Sequence, residues 1–346
     1  MGHLLHMPSH LFLRVGRYAD GVRSSVLAVK RDYLDSMSCL APYGADHNVD
    51  MLLWHASMTG EYSSGIEYAQ LQRRYGRGDM NPLSKFPGTQ WTNLFLFQTR
   101  FARWSDVLQA EAPSEGDRGN SPYLGREFAV AMWHFGRFLA LAAGISDSSG
   151  VRLKSVTGSS EQLRAVLAEG EAFRNASLLV DDARFVTLPG STVHVGRKLG
   201  LYSGGYSDLV EHAGAMVTAR LATLAGDWDE AIQQLERGTA LEDSMEYMEP
   251  PRFMQPIRPC LGKVLLDMRR YTEAEQCFQK DLEAFPDNAW SLFGLARSLA
   301  GAGKKAQAAA AYTQHTRAWR QADSSLEKMR SSCPSFAGRF RASSKS

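Results

Sequence analysis

The stretch that decides the fold is Gln255 to Asn288, QPIRPCLGKVLLDMRRYTEAEQCFQKDLEAFPDN. It holds small, aromatic and proline residues in a fixed order. Gly262 is followed after twelve residues by Ala274, then after four by Phe278, then after eight by Pro286. Gly262 and Ala274 are the small side chains that let two helices cross closely, and Tyr271 and Phe278 fill the space between them. Pro286 cannot continue a helix, so it ends the second one. A shift of 34 residues brings Ala274 onto Ala308 and Phe278 onto Tyr312, with Gly303 in the intervening turn. Two units in one phase define a repeat where one would not.

Working outward, the same turn-then-aromatic pattern returns in weaker form. Gly226-Asp227-Trp228 leads into Ala231 and Leu235. Gly16-Arg17-Tyr18 leads into Gly21, Ser25 and Ala28, Gly60-Glu61-Tyr62 into Gly65 and Ala69, and Arg103-Trp104 into Val107. About six or seven helix pairs follow from this pattern. Spacing between units is irregular. Residues 76–90, 111–122 and 145–160 read as loops, strand signals are confined to a short run from Phe185 to Val195, and the Ser- and Arg-rich tail from Ser331 reads as poorly ordered. The periodic pattern begins almost at once, which raises the expectation of further helices upstream.

These offsets resemble the tetratricopeptide repeat. Beyond the generic repeat, His6-Met7-Pro8-Ser9-His10 followed by Arg14-Val15-Gly16-Arg17-Tyr18, together with His47-Asn48, Glu249-Pro250-Pro251 and Leu292-Phe293-Gly294-Leu295-Ala296, is similar to bacterial-type tetratricopeptide proteins with an HMPSH motif, over most of residues 2–323. The resemblance implies an all-α chain, a right-handed α-solenoid of antiparallel helix pairs forming a superhelix. It carries no defined activity. The expected segments are degenerate helix pairs over 1–144, an insertion over 145–160, further degenerate pairs over 161–254, regular repeats over 255–322, and a C-terminal helix end and disordered tail over 323–346.

Composition narrows the function classes. Hydrophobic residues make up 44% and charged residues 22%, which excludes disorder along the whole chain, and a net charge of +2 gives no global electrostatic case for nucleic acid or an anionic membrane. No run reaches the roughly 18 apolar residues that a membrane span needs. Cys39, Cys260, Cys277 and Cys333 are far apart and form no Cys-x-x-Cys pair. They read as buried or incidental thiols in a reducing compartment, and the expected location is the cytoplasm. The glycine run at Ser203-Gly204-Gly205 lacks the Lys-Ser/Thr of a phosphate-binding loop, and no Gly-x-Ser-x-Gly elbow occurs.

The histidines are unevenly placed. His3, His6 and His10 crowd the first ten residues. His6 and His10 are four apart, which on a helix puts both imidazoles on one face, the spacing of a shared metal ion. No glutamate follows His6, so the zinc-peptidase motif is absent, and Pro8 suggests a helix start with His6 just outside it. Equivalent positions of successive first helices line one face of a solenoid. His6, His10, His47 and His134 are therefore the candidate ligands of a divalent metal ion, with Glu246 or Glu249 to complete the shell. A histidine near a helix start also caps or hydrogen-bonds a neighbouring turn, so each has a structural reading beside the functional one. His55, His194, His212 and His315 read as surface or packing residues.

Two functions compete at this point. One is a scaffold that holds a peptide, a protein or a small ligand in its concave groove, with His47, Trp91, His134, Glu249 and Arg252 as groove residues. A carboxylate clamp of Lys, Arg and Asn is not evident. The other is a metal-dependent enzyme or metal-binding protein with its site in the N-terminal half.

Overall fold

The structure is a computed structural model, and its described residues are 2–40, 44–76, 87–114, 125–145, 161–182, 206–245, 247–323, 333 and 336. Among them the chain is all helical, with no strand. Fourteen helices follow in order: α1 Gly2–Arg14, α2 Tyr18–Met37, α3 Ala45–Thr59, α4 Tyr62–Gly76, α5 Pro87–Arg100, α6 Trp104–Gln109, α7 Gly125–Ala143, α8 Glu161–Asp182, α9 Tyr206–Ala225, α10 Trp228–Ser244, α11 Arg258–Asp267, α12 Tyr271–Ala284, α13 Ala289–Gly301 and α14 Lys305–Ala318. The run from Phe185 to Val195 and residues 146–160 lie outside the described residues. No described helix is long and apolar enough to cross a membrane.

Among the described residues, six left-handed turns of one kind lead directly into a helix. Gly16, Gly60, Ala102, Gly226, Arg269 and Gly303 all have positive φ, between 49° and 80°. The next residue's N–H reaches back five residues: Arg17 to the Phe12 carbonyl, Glu61 to Ala56, Arg103 to Gln98, Asp227 to Ala222, Arg270 to Leu265 and Lys304 to Leu299, at 2.9 to 3.1 Å. This left-handed cap satisfies a carbonyl that the ending helix leaves unpaired. It also turns the chain so that the next helix starts at once, on Tyr18, Tyr62, Trp104, Trp228, Tyr271 and Lys305. Four of the six sites have the glycine that left-handed φ favours. Ala102 and Arg269 hold the conformation without it, which is why no glycine marks those two turns in the sequence.

The chain divides into two compact units, Met1–Arg74 with Met248–Ser346, and Tyr75–Tyr247. Contacts of long sequence separation bind the first helices to the last within the first of these units. In the first unit α3 packs on α1, α2 and α13, and α11 to α14 pack as successive neighbours. Leu13, Tyr18, Met51, Trp54 and Met58 form a core with Phe253 and Phe285 against it. The indole N–H of Trp290 donates to the Ser57 carbonyl at 2.7 Å, and that of Trp319 to the Met58 carbonyl at 3.3 Å. The α1–α2 turn is seated on Pro286: a Cβ on Gly16 would stand 2.4 Å from the Pro286 oxygen. Phe278 is fully buried, and its ring fills the space that side chains on Gly262 and Gly294 would occupy. In the second unit α7 packs on α5, α6, α8 and α9, and α9 on α10.

The cysteine expectation is corrected. Cys260 and Cys333 form a disulfide, with Cα atoms 4.9 Å apart and both residues fully buried, while Cys39 and Cys277 are not disulfide-bonded. A bond that joins residues 73 apart leaves no local spacing signal, and its existence removes the basis for reading a reducing compartment. Within the tail expected to be disordered, Cys333 and Phe336 are buried, and the remaining residues beyond 323 lie outside the described set.

Candidate metal centre

Helix α1 supplies two of the site's imidazoles. It runs from Gly2 to Arg14 with Pro8 inside it, so His6 is helical and not outside the helix start as Pro8 suggested. His6 and His10 then share a face, one turn apart. The Ser24 hydroxyl, from α2, donates to the Leu5 carbonyl at 2.6 Å, and Ser9 donates to the His6 carbonyl at 2.7 Å. The third imidazole, His47, comes from the first turn of α3.

Among the described residues one group of three or more close metal-ligating side chains occurs, and it is His6, His10 and His47, whose ligand atoms all lie within 4.8 Å of one another. The ring centroids are 4.5 Å apart for His6 and His10, 4.7 Å for His6 and His47, and 5.4 Å for His10 and His47. His6 Nε2 and His10 Nε2 are 2.6 Å apart, the distance of a hydrogen bond. Two nitrogens bound tetrahedrally to one zinc ion at its usual bond length stand about 3.3 Å apart. A small rotation of either ring covers that difference.

The surroundings fix tautomers. Glu249 Oε2 lies 2.5 Å from His10 Nδ1. A carboxylate accepts only, so His10 carries its proton on Nδ1 and presents Nε2 as a lone pair. His6 then donates from Nε2 to His10 in the pair as it stands. Asn48 beside His6 opposes part of the lowering of its pKa, and Asn48 Nδ2 donates to Asp32 Oδ2 at 2.5 Å. His6 is 1% exposed. Burial, with His47 and His10 beside it, pulls its pKa down to about 3, and burial followed by His10 pulls His47 down to about 4 against the raising effect of Glu249. Both are therefore neutral near pH 7, the protonation state a metal ion requires.

The other candidates fall elsewhere. His134 lies on α7 in the second unit, where its Nδ1 is 2.7 Å from Glu169 Oε1 and Arg137 Nε donates to the same oxygen at 3.2 Å. Arg252 donates from Nε to Met248 Sδ at 3.0 Å. Trp91 lies on α5, with its side chain outside the described part, and Glu246 is outside the described residues. His55 is a packing residue, fully buried, with Nε2 3.2 Å from the Ser9 carbonyl. His212 packs against Glu242 at 2.6 Å, and His315 is buried with Nδ1 2.9 Å from the Ala289 carbonyl. His194 lies outside the described residues. The supporting residues Asp32 and Asn48 carry no motif. Their only signal is that Asn48 adjoins His47.

No protein-family model matches the chain, and no curated protein matches it.

Proposed function

We propose that this protein binds one divalent transition-metal ion through His6, His10 and His47, on a scaffold of tetratricopeptide-type helix pairs. The observation that carries this reading is the convergence of three imidazoles, from two helices, with a carboxylate on the far nitrogen of one of them. Metal-bound histidines as a rule donate their other ring N–H to a carboxylate, a backbone carbonyl or water, and a carboxylate there fixes the tautomer and raises the basicity of the ligating nitrogen. An all-imidazole set with no thiolate suits zinc, copper, nickel or iron, and not calcium or magnesium.

The scaffold reading is supported by the six repeated left-handed turns and by Phe278 filling the space at Gly262 and Gly294. A right-handed stack of such pairs is the arrangement this repeat builds.

The test is elemental analysis of untagged protein after dialysis against zinc, with calorimetric titration of the chelator-treated protein. About one equivalent is expected for the natural chain and none for His10→Ala with His47→Ala. Absence of stoichiometric metal in the natural chain, with its helical circular dichroism intact, rejects the reading.

A further inference from the structure

Resting on that metal reading, we propose that Glu249 is a positioning residue and not a ligand, so that the ion keeps a fourth position open to small anionic donors from solvent. The sequence alone allowed Glu249 to complete the metal shell. The geometry argues otherwise. Its Oε2 contacts Nδ1 of His10, whereas the nitrogen that meets His6 is Nε2, on the opposite edge of the same ring. Lone pairs on the two ring nitrogens diverge, so a carboxylate oxygen on one side cannot also reach an ion on the other. The protein then supplies three ligands, the count of metal sites that exchange a fourth, where closed structural sites supply four.

Access is one-sided. His6 is buried, but the His10 side chain is 22% exposed, Glu249 is 16% exposed, and His47 is half-buried. A solvent-borne donor reaches the ion from the His10 and His47 side. Three neutral imidazoles leave the charge of a divalent ion uncompensated, which favours an anionic donor. The Arg14 guanidinium, 58% exposed, lies 3.8 Å from the second oxygen of Glu249 and offsets that carboxylate at the rim. His3, exposed and with its ring 6.5 Å from that of His6, is the residue whose movement could close the position instead.

Cobalt(II) in place of zinc makes the coordination visible. The chelator-treated full-length protein, loaded with one equivalent of cobalt(II), is titrated with azide and, separately, with acetate while its visible absorption is recorded. The expected result is a saturable change in the d–d bands. Glu249→Gln should bind zinc about 10- to 100-fold more weakly while the cobalt band shape and azide response persist, because the ligands are unchanged. Arg14→Ala should weaken azide a few-fold and leave cobalt affinity alone. Bound cobalt whose spectrum ignores azide overturns the open position, and recovery of the response in His3→Ala would identify His3 as the closing ligand. A Glu249→Gln spectrum that differs from the natural one without azide overturns the positioning role. Failure of cobalt to bind at all rejects the metal reading itself and is recognised by the absence of any d–d band.

Discussion

Glu249 and His10 are separated by 239 residues in sequence and by 2.5 Å in space. The pair joins α1 to the connection that leads into α11, within one compact unit. An ion on His10 therefore acts on both ends of that unit at once.

Metal should raise stability through this link. A ligand that binds only the folded state adds about 2.7 kcal/mol at a hundredfold excess over its dissociation constant. Zinc should raise the melting temperature of the natural chain and leave His10→Ala unmoved. Hydrogen exchange should slow together in α1, the first turn of α3 and residues 247–252. Protection confined to α1 would contradict the linkage.

Gly21 and His55 set a second test, where two effects of opposite sign compete. Gly21 sits inside α2, where replacing glycine by alanine ordinarily stabilises a helix by about 1 kcal/mol. Here an added Cβ would lie 2.3 Å from the His55 ring, which is fully buried and cannot swing away. Overpacking of this kind typically costs about 1–3 kcal/mol. Gly21→Ala should therefore lower stability in urea denaturation, and the loss should shrink in a Gly21→Ala, His55→Ala double variant.

The site was partly legible before the fold. The four-residue spacing of His6 and His10 places them on one helix face whatever surrounds them, and His47 followed from its place at a helix start. The partner of His134 was not legible, since no local pattern joins α7 to Glu169 on α8, 35 residues on. The packing of Phe278 against Gly262 was legible because close helix crossing demands small residues at fixed offsets. Trp290 donating to Ser57 was not, since no local pattern records a contact across 233 residues. The Cys260–Cys333 bond was invisible for the same reason.

That bond gives a prediction independent of the metal. Protein unfolded in denaturant without reductant should titrate two thiols, Cys39 and Cys277, and four after reduction. Closing a loop of this length removes roughly 4 kcal/mol of unfolded-state entropy on the chain-entropy account. Cys333→Ser should lower stability by an amount of that order, about 2–5 kcal/mol. Four reactive thiols in the unreduced protein would contradict the structure.

Stability should also fall with acid in a definite window, and the sign follows from His55. Burial pulls its pKa from 6.5 to about 3. The folded state therefore keeps His55 neutral where the unfolded chain protonates it, and between those two values the unfolded state binds more protons. The contribution is complete above pH 6.5 and is lost progressively as pH falls toward about 3, at roughly 1.4 kcal/mol per pH unit for this one group. His6 and His47 act in the same direction, with pKa values lowered to about 3 and about 4. Metal-free protein in chelator should thus lose melting temperature steadily from pH 6.5 to pH 5, before most carboxylates titrate. His55→Gln should flatten that slope, since an amide of similar length keeps a donor for the Ser9 carbonyl and takes up no proton. An unchanged melting temperature over that interval in the natural chain would show that His55 is protonated in the folded state or reached by water.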